Sequence, residues 1–254
     1  MKLRLLGCGT SSGVPRIGAD WGRCDPDEPR NWRTRTAGLV STERTRVLVD
    51  TGPDMRRQLI DARVASVDAV IWTHAHADHV HGIDDLRQLF HNSGAPVRCF
   101  ARAATIEDLR ARFAYVFHGR AGYPPVATLD PLPDRMEIGD LVVTTVDQPH
   151  GAITSAGLCF AHEGKRIGYS TDFSGMTDDM RRVFDSIDVW AVDALRREPH
   201  PTHPTLDQVV AWVSELGVRH AALIHMDNSM DYRTLCAELP EHIRPGHDGM
   251  ELIP

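Results

Sequence analysis

Four side chains that commonly bind metal ions lie within six residues of this sequence: His74, His76, Asp78 and His79. Residues two apart in an extended segment point the same way, so His74 and His76 face one side. The adjacent Asp78 and His79 cannot easily share that direction. The spacing therefore predicts one metal at the histidine pair and a second at the Asp–His pair. Imidazole and carboxylate ligands suit zinc, manganese or iron.

An apolar run over residues 67–72 directly precedes these histidines and predicts a buried strand. The histidines then lie in the loop at the C-terminal end of that strand, where open α/β sheets bind ligands. The alternative is a solvated, histidine-rich turn. Four potential ligands at this spacing behind a buried strand favour the metal site.

The order of strand, ligand-type residue and loop recurs along the chain. His150, Asp172 and His225 each follow a predicted strand, as His74 does. A lone histidine is usually a satisfied polar residue, but four strand ends that carry His or Asp indicate a single shared site.

Gly/Pro-rich or polar segments separate the other predicted elements. Strands are expected over residues 2–6, 38–40, 45–49, 97–100, 141–146, 158–161, 166–170, 189–192 and 221–224. Helices are expected over residues 54–61, 80–90, 105–117 and 206–216. Three aromatic residues of the third helix, Phe113, Tyr115 and Phe117, are more typical of a core than of a substrate platform.

Asp50 follows the strand 45–49 and has two interpretations. Its carboxylate can orient the histidine loop from behind the ligands, or it can cap the helix that begins near Asp54. Both roles are compatible.

Two basic or glycine-rich segments near the N-terminus also have two interpretations. The loop 7–15 can approach an anion with its backbone N–H groups, but it lacks the lysine of a P-loop and equally fits an ordinary turn. Arg30, Arg33 and Arg35 can meet a phosphate or pair with nearby acidic residues. We favour the structural pairing, with partners expected among Asp25, Asp27 and Glu28.

The composition limits the possible classes of protein. With 254 residues, 42% of them hydrophobic, the chain can bury one large core, and we expect a single domain over residues 1–254. A net charge of −7 argues against stable binding of nucleic acid through bulk charge. Five scattered cysteines favour free thiols in a reducing compartment. No segment has the apolar length of a signal peptide or a membrane span, so a cytoplasmic protein without a membrane partner is expected.

The pattern His-x-His-x-Asp-His at residues 74–79 resembles the signature of the metallo-β-lactamase superfamily, and the later strand-end residues extend this resemblance over nearly the whole chain. The resemblance implies an α/β fold, a four-layer αβ/βα sandwich, with two divalent metal ions (Zn²⁺ or Mn²⁺) at its edge. By this resemblance, the first metal is bound by His74, His76 and His150, the second by Asp78, His79 and His225, and Asp172 bridges the two.

Three further segments resemble the phosphodiesterase branch of that superfamily: residues 7–15, 81–87 and 200–206. This branch includes the phosphoribosyl cyclic phosphate phosphodiesterases of the carbon–phosphorus lyase pathway and the ribonuclease Z-like nucleases. A histidine just before a helix acts near the leaving group in this branch. His203 is the best match and His200 a close second, and Asp78 is counted with them as catalytic. The resemblance also favours a homodimer.

One departure from the branch concerns zinc. The carbon–phosphorus pathway enzyme has a Cys-rich structural zinc site after its first loop, whereas Cys24 stands alone here. One thiolate cannot make a closed tetrahedral site, so no structural zinc is expected at Cys24.

The physical case for phosphodiester hydrolysis stands beside the resemblance. Two metals bridged by Asp172 would hold a water between them, and zinc lowers the pKa of a bound water from about 15.7 to about 7. A departing alkoxide needs a proton, which a histidine can supply near neutral pH. We therefore predict a binuclear phosphodiesterase that acts on small or cyclic nucleotide-like diesters.

Three alternatives remain open at this stage. The first is a nuclease that processes tRNA 3′ ends, for which residues 110–120 are the only basic stretch. The second is a lactonase or thioesterase on the same fold. The third is a non-catalytic binding module, which would be marked by lost ligands.

Overall fold

The computed structural model describes residues 1–254, which form fourteen strands and seven helices. The strands are β1 (Lys2–Gly7), β2 (Ala37–Ser41), β3 (Arg46–Val49), β4 (Ala69–Ile71), β5 (Val97–Ala101), β6 (Ala127–Pro131), β7 (Arg135–Ile138), β8 (Leu141–His150), β9 (Ile153–His162), β10 (Lys165–Ser170), β11 (Val189–Asp193), β12 (His220–Ile224), β13 (Ile243–Pro245) and β14 (Glu251–Leu252). The helices are α1 (Met55–Asp61), α2 (Ala77–Val80), α3 (Leu86–Ser93), α4 (Ala103–His118), α5 (Asp178–Phe184), α6 (Leu206–Glu215) and α7 (Tyr232–Glu238).

The strands form two seven-stranded sheets. The first has the order β14-β1-β2-β3-β4-β5-β6 and the second the order β13-β12-β11-β10-β9-β8-β7. Strands β3 to β6 run parallel to one another, as do β10 to β13. Each sheet therefore brings the carboxyl ends of several parallel strands to one edge.

Side-chain alternation along the strands creates the layers. Val47 and Val49 of β3 belong to the large core that includes residues of both sheets, whereas Leu48 between them faces a second core. This second core contains residues of α1 to α4, which cover the outer face of the first sheet. Because successive strand residues point to opposite faces, one apolar strand serves both cores. Helices α5, α6 and α7 pack on the second sheet.

The predicted α/β fold class is confirmed: two sheets flanked by helices form a four-layer sandwich. Most predicted elements are present, with ends that differ by a few residues. The hairpin strands β8 and β9 are longer than predicted, at ten residues each. None of the seven helices combines the length and the apolar character needed to cross a membrane.

The helix predicted over residues 80–90 is wrong in its boundaries. The chain forms the short helix α2, a 3₁₀ turn over Ile83–Asp85, and then α3. The break lies at Gly82, whose N–H donates to Thr51 O at 2.7 Å. A Cβ there would lie 2.1 Å from Gly52 O. Only glycine allows this close approach, which fixes the histidine loop against the end of β3.

Candidate metal centre

All seven predicted metal ligands lie together at the edge where the strands end. His74, His76, Asp78 and His79 follow β4 in the first sheet. The other three come from the second sheet: His150 ends β8, Asp172 lies two residues after β10, and His225 follows β12 directly. The centre therefore contains ligands from both sheets.

One group of potential ligands contains His74, His76, His150 and Asp172, with one ligand atom of each within 4.8 Å of the others. His150 Nε2 lies 3.3 Å from His76 Nδ1. Asp172 Oδ1 lies 3.8 Å from His74 Nε2 and 3.6 Å from His150 Nε2. The two histidines that are two residues apart thus face the same point, as their spacing predicts.

A second group contains Asp78, His79 and His225. The other oxygen of Asp172, Oδ2, lies 3.2 Å from His79 Nε2 and 3.5 Å from His225 Nε2. Asp172 therefore presents one oxygen to each group.

Three side chains of the centre are placed by unusual backbone conformations. Asp50, Asp172 and His225 have φ angles of 64°, 55° and 57°. This left-handed region costs a non-glycine residue about 1–3 kcal/mol and tends to occur at functional sites. Each of these residues lies just after a strand, where the sharp turn aims its side chain at the centre.

Asp50 supports the histidine loop from behind. Its carboxylate accepts hydrogen bonds from Thr73 N (2.8 Å) and Thr73 Oγ1 (2.9 Å), and it lies 2.7 Å from His79 Nδ1. This contact leaves His79 Nε2 facing Asp172. The helix-cap interpretation of Asp50 is wrong, because Asp54 occupies the N-cap position of α1.

Asp193, the last residue of β11, is a functional residue that the sequence reasoning missed. Its Oδ2 lies 2.6 Å from His203 Nδ1 and accepts a hydrogen bond from Asp172 N at 3.0 Å. The signal was available, because β11 is another strand that ends in an acidic residue. Its partner, however, lies ten residues away in a loop.

His203 and His200 lie beside the centre and line the same cavity. His203 is 8% exposed, and its Nε2 lies 3.8 Å from Asp172 Oδ1. His200 Nδ1 accepts a hydrogen bond from Thr202 N at 3.3 Å. His203 does not cap the following helix, since Thr205 and Gln208 form the capping box of α6.

The cavity over the centre has a volume of about 370 Å³. Most of its lining residues are polar, and they include five histidines and two aspartates. The lining residues are Thr10, Ser11, His76, Asp78, His150, Gly151, Ala152, Ile153, Asp172, Leu195, His200, Thr202, His203 and His225.

The carboxylates and imidazoles of the centre shift one another's pKa. Burial raises the pKa of Asp172, but the charges of His225, His79 and His74 outweigh it and hold that pKa well below its usual range. Burial lowers the pKa of His225, but the carboxylates of Asp172, Asp78 and Asp193 together outweigh this effect and raise it to about 9. Burial lowers the pKa of His74 well below 6.5, which favours the neutral form that binds metals.

The donor set fits divalent metal ions. His74 Nε2 and His79 Nε2 are buried without a hydrogen-bond partner, although a buried unsatisfied polar group costs about 1–3 kcal/mol. Both atoms face oxygens of Asp172. Imidazole nitrogens and carboxylate oxygens in two adjoining groups are ligands that Zn²⁺ or Mn²⁺ accept.

The arginine cluster near the N-terminus has a structural role. Arg30 Nε pairs with Glu28 Oε1 at 2.8 Å, as expected. The predicted partners of the other two are wrong: Arg35 Nε pairs with Asp54 Oδ2 at 3.0 Å, and Arg33 donates to the carbonyl oxygens of Asp227 and Met230. The segment that begins at residue 227 covers the Arg33 guanidinium. Arg33 is therefore buried, and its partners are carbonyl oxygens of that segment rather than the acidic residues near it in sequence.

None of the clusters of ligand-type side chains includes Cys24, which is buried beside Arg33. In the glycine loop, Gly9 serves close packing, since a Cβ there would lie 2.9 Å from Arg33 Cβ. Thr10 and Ser11 of the same loop line the cavity over the centre.

Comparison with protein families gives a match over most of the chain. The sequence model of the Beta-lactamase superfamily domain matches residues 45–226. This span contains every candidate metal ligand and both candidate catalytic histidines.

Three similar proteins extend the match. The crystal structure of a new diphosphatase from the PhnP family is 32% identical, with a TM-score of 0.90, over 100% of this chain and 97% of that one. An octanoyltransferase of Porphyromonas gingivalis is 32% identical over all of this chain, which spans 51% of that protein's length. A ribonuclease Z of Methanopyrus kandleri is 29% identical over 50% of this chain and 44% of its own length.

Proposed function

This chain belongs to the metallo-β-lactamase superfamily, and on that premise we propose that it is a binuclear metal-dependent phosphodiesterase of small, nucleotide-like diesters. The observation that carries the proposal is the pair formed by His203 and Asp193, which lies beside a two-part ligand set. A hydrolase that must protonate an alkoxide leaving group needs such a proton donor.

The ligand set would hold two divalent metals, Zn²⁺ or Mn²⁺, with Asp172 between them. When bound, two such ions activate a water molecule and stabilise negative charge on a phosphate oxygen. Asp50 fixes the ring of His79 for this purpose, and Asp193 fixes Asp172 through its backbone N–H. Partners of this kind orient metal ligands and typically change metal affinity or activity by about 10–100-fold when removed.

His203 supplies the proton to the leaving oxygen. The contact of its Nδ1 with Asp193 at 2.6 Å orients the ring, so that Nε2 faces the cavity beside Asp172. His200 has no such carboxylate and instead accepts a hydrogen bond from Thr202, so we assign it to contact with the substrate. Asp78 acts as a ligand at the cavity wall, beside the reacting phosphate.

The cavity itself favours a small polar substrate. At about 370 Å³ it lies near the lower end of the range of about 300–1,000 Å³ for small-molecule sites. Only Ala152, Ile153 and Leu195 are hydrophobic among the residues of its lining, and five histidines and two aspartates surround the space that a fatty acyl chain would occupy. We therefore propose that the octanoyl transfer of the Porphyromonas relative belongs to the half of that protein outside its match to this chain.

A second candidate is hydrolysis of a diphosphate linkage between two organic groups. The similarity to the diphosphatase covers the whole chain at 32% identity, which is the observation that favours it. The leaving group is then a phosphate, which needs a proton less than a ribose alkoxide does. Dependence on His203 separates the two candidates.

The remaining parts of the proposal concern partners. By family resemblance we propose a homodimer, and from its free cysteines we propose a reducing compartment, the cytoplasm. The net charge of −7 supports a small-molecule substrate rather than stable binding of nucleic acid.

The proposal is tested by metal analysis and a substrate panel. The protein is purified without chelator, loaded with zinc or manganese, and assayed on bis(p-nitrophenyl) phosphate, a 2′,3′-cyclic nucleotide, a dinucleoside diphosphate, a lactone and a tRNA precursor. We expect two metals per chain. Among the substrates other than the synthetic bis(p-nitrophenyl) phosphate, we expect the cyclic nucleotide to be turned over fastest. His150→Ala should lose metal, whereas His220→Ala, outside the centre, should not. A stoichiometry of one metal, or faster turnover of the lactone or the tRNA, would contradict the proposal.

A further inference from the structure

A second cavity, of about 500 Å³, lies between α3, α4 and the loop that follows α4. It shares no lining residue with the cavity over the metal centre. We call it the α3–α4 cavity. Its lining residues are Asp84, Arg87, Phe90, His91, Tyr115, Val116, Arg120, Tyr123, Pro124 and Val126.

Two arginines give this cavity a positive rim. Arg87 and Arg120 are both exposed, and neither forms an ion pair with a carboxylate. The Arg87 guanidinium lies 5.3 Å from the centroid of the Tyr123 ring, and its Nε donates to His91 Nε2 at 3.3 Å. These contacts hold Arg87 over the cavity while leaving the terminal nitrogens of its guanidinium free of a carboxylate.

The only acidic residue of the lining is already engaged. The Tyr115 hydroxyl donates to Asp84 Oδ1 at 2.6 Å, so that this carboxylate accepts from within the protein. Burial and the neighbouring Asp84 raise the pKa of Tyr115 to about 12, which keeps its phenol neutral. The lining therefore carries two guanidinium charges against one carboxylate.

Aromatic rings form much of the remaining wall. Tyr123 is 68% exposed and Tyr115 is 43% exposed. With Phe90 they offer flat surfaces on which a planar ring can stack. Aromatic stacking and a guanidinium together recognise a ligand that has a flat ring and an anionic group.

We propose that the α3–α4 cavity binds a planar aromatic anion of the nucleoside monophosphate class. Its ring stacks between Tyr123 and Phe90, and its phosphate accepts hydrogen bonds from Arg87 and Arg120. The volume lies within the range of about 300–1,000 Å³ for small-molecule sites. The inference stands apart from the proposed reaction, because it uses none of the residues of the metal centre.

The test is equilibrium dialysis of the metal-loaded, full-length protein with adenosine 5′-monophosphate as the probe. Adenosine and inorganic phosphate are measured separately, and both should bind more weakly than the complete nucleotide. Arg120→Glu and Tyr123→Ala should each weaken binding at least about tenfold, the loss expected from a charged hydrogen bond or a stacking contact. Turnover of bis(p-nitrophenyl) phosphate should stay unchanged in both variants.

Arg98→Glu is the matched control. Arg98 is also an exposed arginine over an aromatic ring, 5.4 Å from the centroid of Phe100, but it lies outside the cavity. It should bind the probe as the unaltered protein does. If Tyr123→Ala fails to fold, Arg87→Gln replaces it, and the same loss of binding is expected.

Two results would overturn the inference. Binding that is lost in His150→Ala and retained in Arg120→Glu would place the nucleotide at the metal centre instead. A change from dimer to monomer in both cavity variants by sedimentation, without binding of the probe to the unaltered protein, would show that a second copy of the chain covers this face.

Discussion

Each sheet contains a buried aspartate at the end of a strand that contacts a histidine ring. In the first sheet, Asp50 lies 2.7 Å from His79 Nδ1. In the second, Asp193 lies 2.6 Å from His203 Nδ1. In each case the other ring nitrogen, Nε2, faces the Asp172 carboxylate.

The two aspartate–histidine pairs differ in how completely they are enclosed. Both oxygens of Asp50 accept hydrogen bonds, and His79 is completely buried. Asp193 uses only Oδ2, while its Oδ1 is buried without a partner, and His203 borders the cavity. The enclosed pair suits a histidine that must stay in one place to bind a metal. The pair at the cavity suits a histidine that exchanges a proton with a substrate.

The largest expected effect is that of Asp172, the residue at which the two halves meet. Asp172→Ala should reduce turnover to background, because both ligand groups lose the carboxylate that faces them. His225→Ala removes a ligand from one group only and should retain measurable activity at high metal concentration. The measurement is kcat with added zinc or manganese. Near-normal activity of Asp172→Ala would show that this carboxylate does not bridge.

The next effect concerns His203 and the leaving group. A p-nitrophenolate leaves as an anion, whereas a ribose alkoxide needs a proton. General acid catalysis is typically worth about 10²–10⁴-fold, so His203→Ala should lower kcat for a 2′,3′-cyclic nucleotide at least about tenfold more than for bis(p-nitrophenyl) phosphate. The same assays on His200→Ala provide the control. Equal losses on both substrates would remove His203 from the role of proton donor.

The comparison of the two aspartates can be tested directly. Asp50→Asn should weaken metal binding by about 10–100-fold, and excess metal should restore much of its activity. In Asp193→Asn the amide oxygen can still accept from Asp172 N, but the negative charge beside His203 is lost. This variant should therefore lower kcat for the cyclic nucleotide, and excess metal should restore little of it. Metal titrations of kcat distinguish the two. If excess metal restored the activity of both variants, or of neither, the two aspartates would have the same role.

Much of the centre could be predicted because its signals are local. Residues 74–79 carry four ligands directly after a buried strand, and the other strand ends repeat the order of strand and ligand. The two-group arrangement around Asp172 came from family resemblance. The role of Asp50 was one of two interpretations, and only the contact with His79 decides between them.

What the sequence did not reveal depends on contacts between distant segments. The pairing of Asp193 with His203 needs the loop before α6 to fold back on β11, and no periodic pattern encodes that return. The left-handed conformations of Asp172 and His225 are similarly hidden, because neither residue is a glycine. The break at Gly82 depends on the backbone of Gly52, thirty positions earlier.

A partly buried aspartate, Asp248, sharpens the comparison because its carboxylate contacts no histidine. Asp248 accepts hydrogen bonds from Thr34 N (2.8 Å), Thr34 Oγ1 (2.6 Å) and Cys8 N (3.1 Å). These bonds fasten the C-terminal segment to Cys8, just after β1, and to Thr34, shortly before β2. Burial outweighs them and raises the pKa of Asp248 from 3.8 to about 6.

The smallest effect on turnover is expected at Asp248, where a substitution should change the stability and leave kcat unchanged. A carboxyl group whose pKa is raised by folding binds its proton more tightly in the folded state. Its favourable contribution is complete below about pH 4 and is lost as the pH rises through about 6. A rise in the pKa from 3.8 to about 6 corresponds to about 3 kcal/mol. The free energy of unfolding of the unaltered protein, minus that of Asp248→Asn, should fall by about this amount between pH 4 and 7 in urea titrations. Because both proteins share all other titrating groups, the subtraction isolates Asp248. A difference that is constant or that grows with pH would contradict the raised pKa.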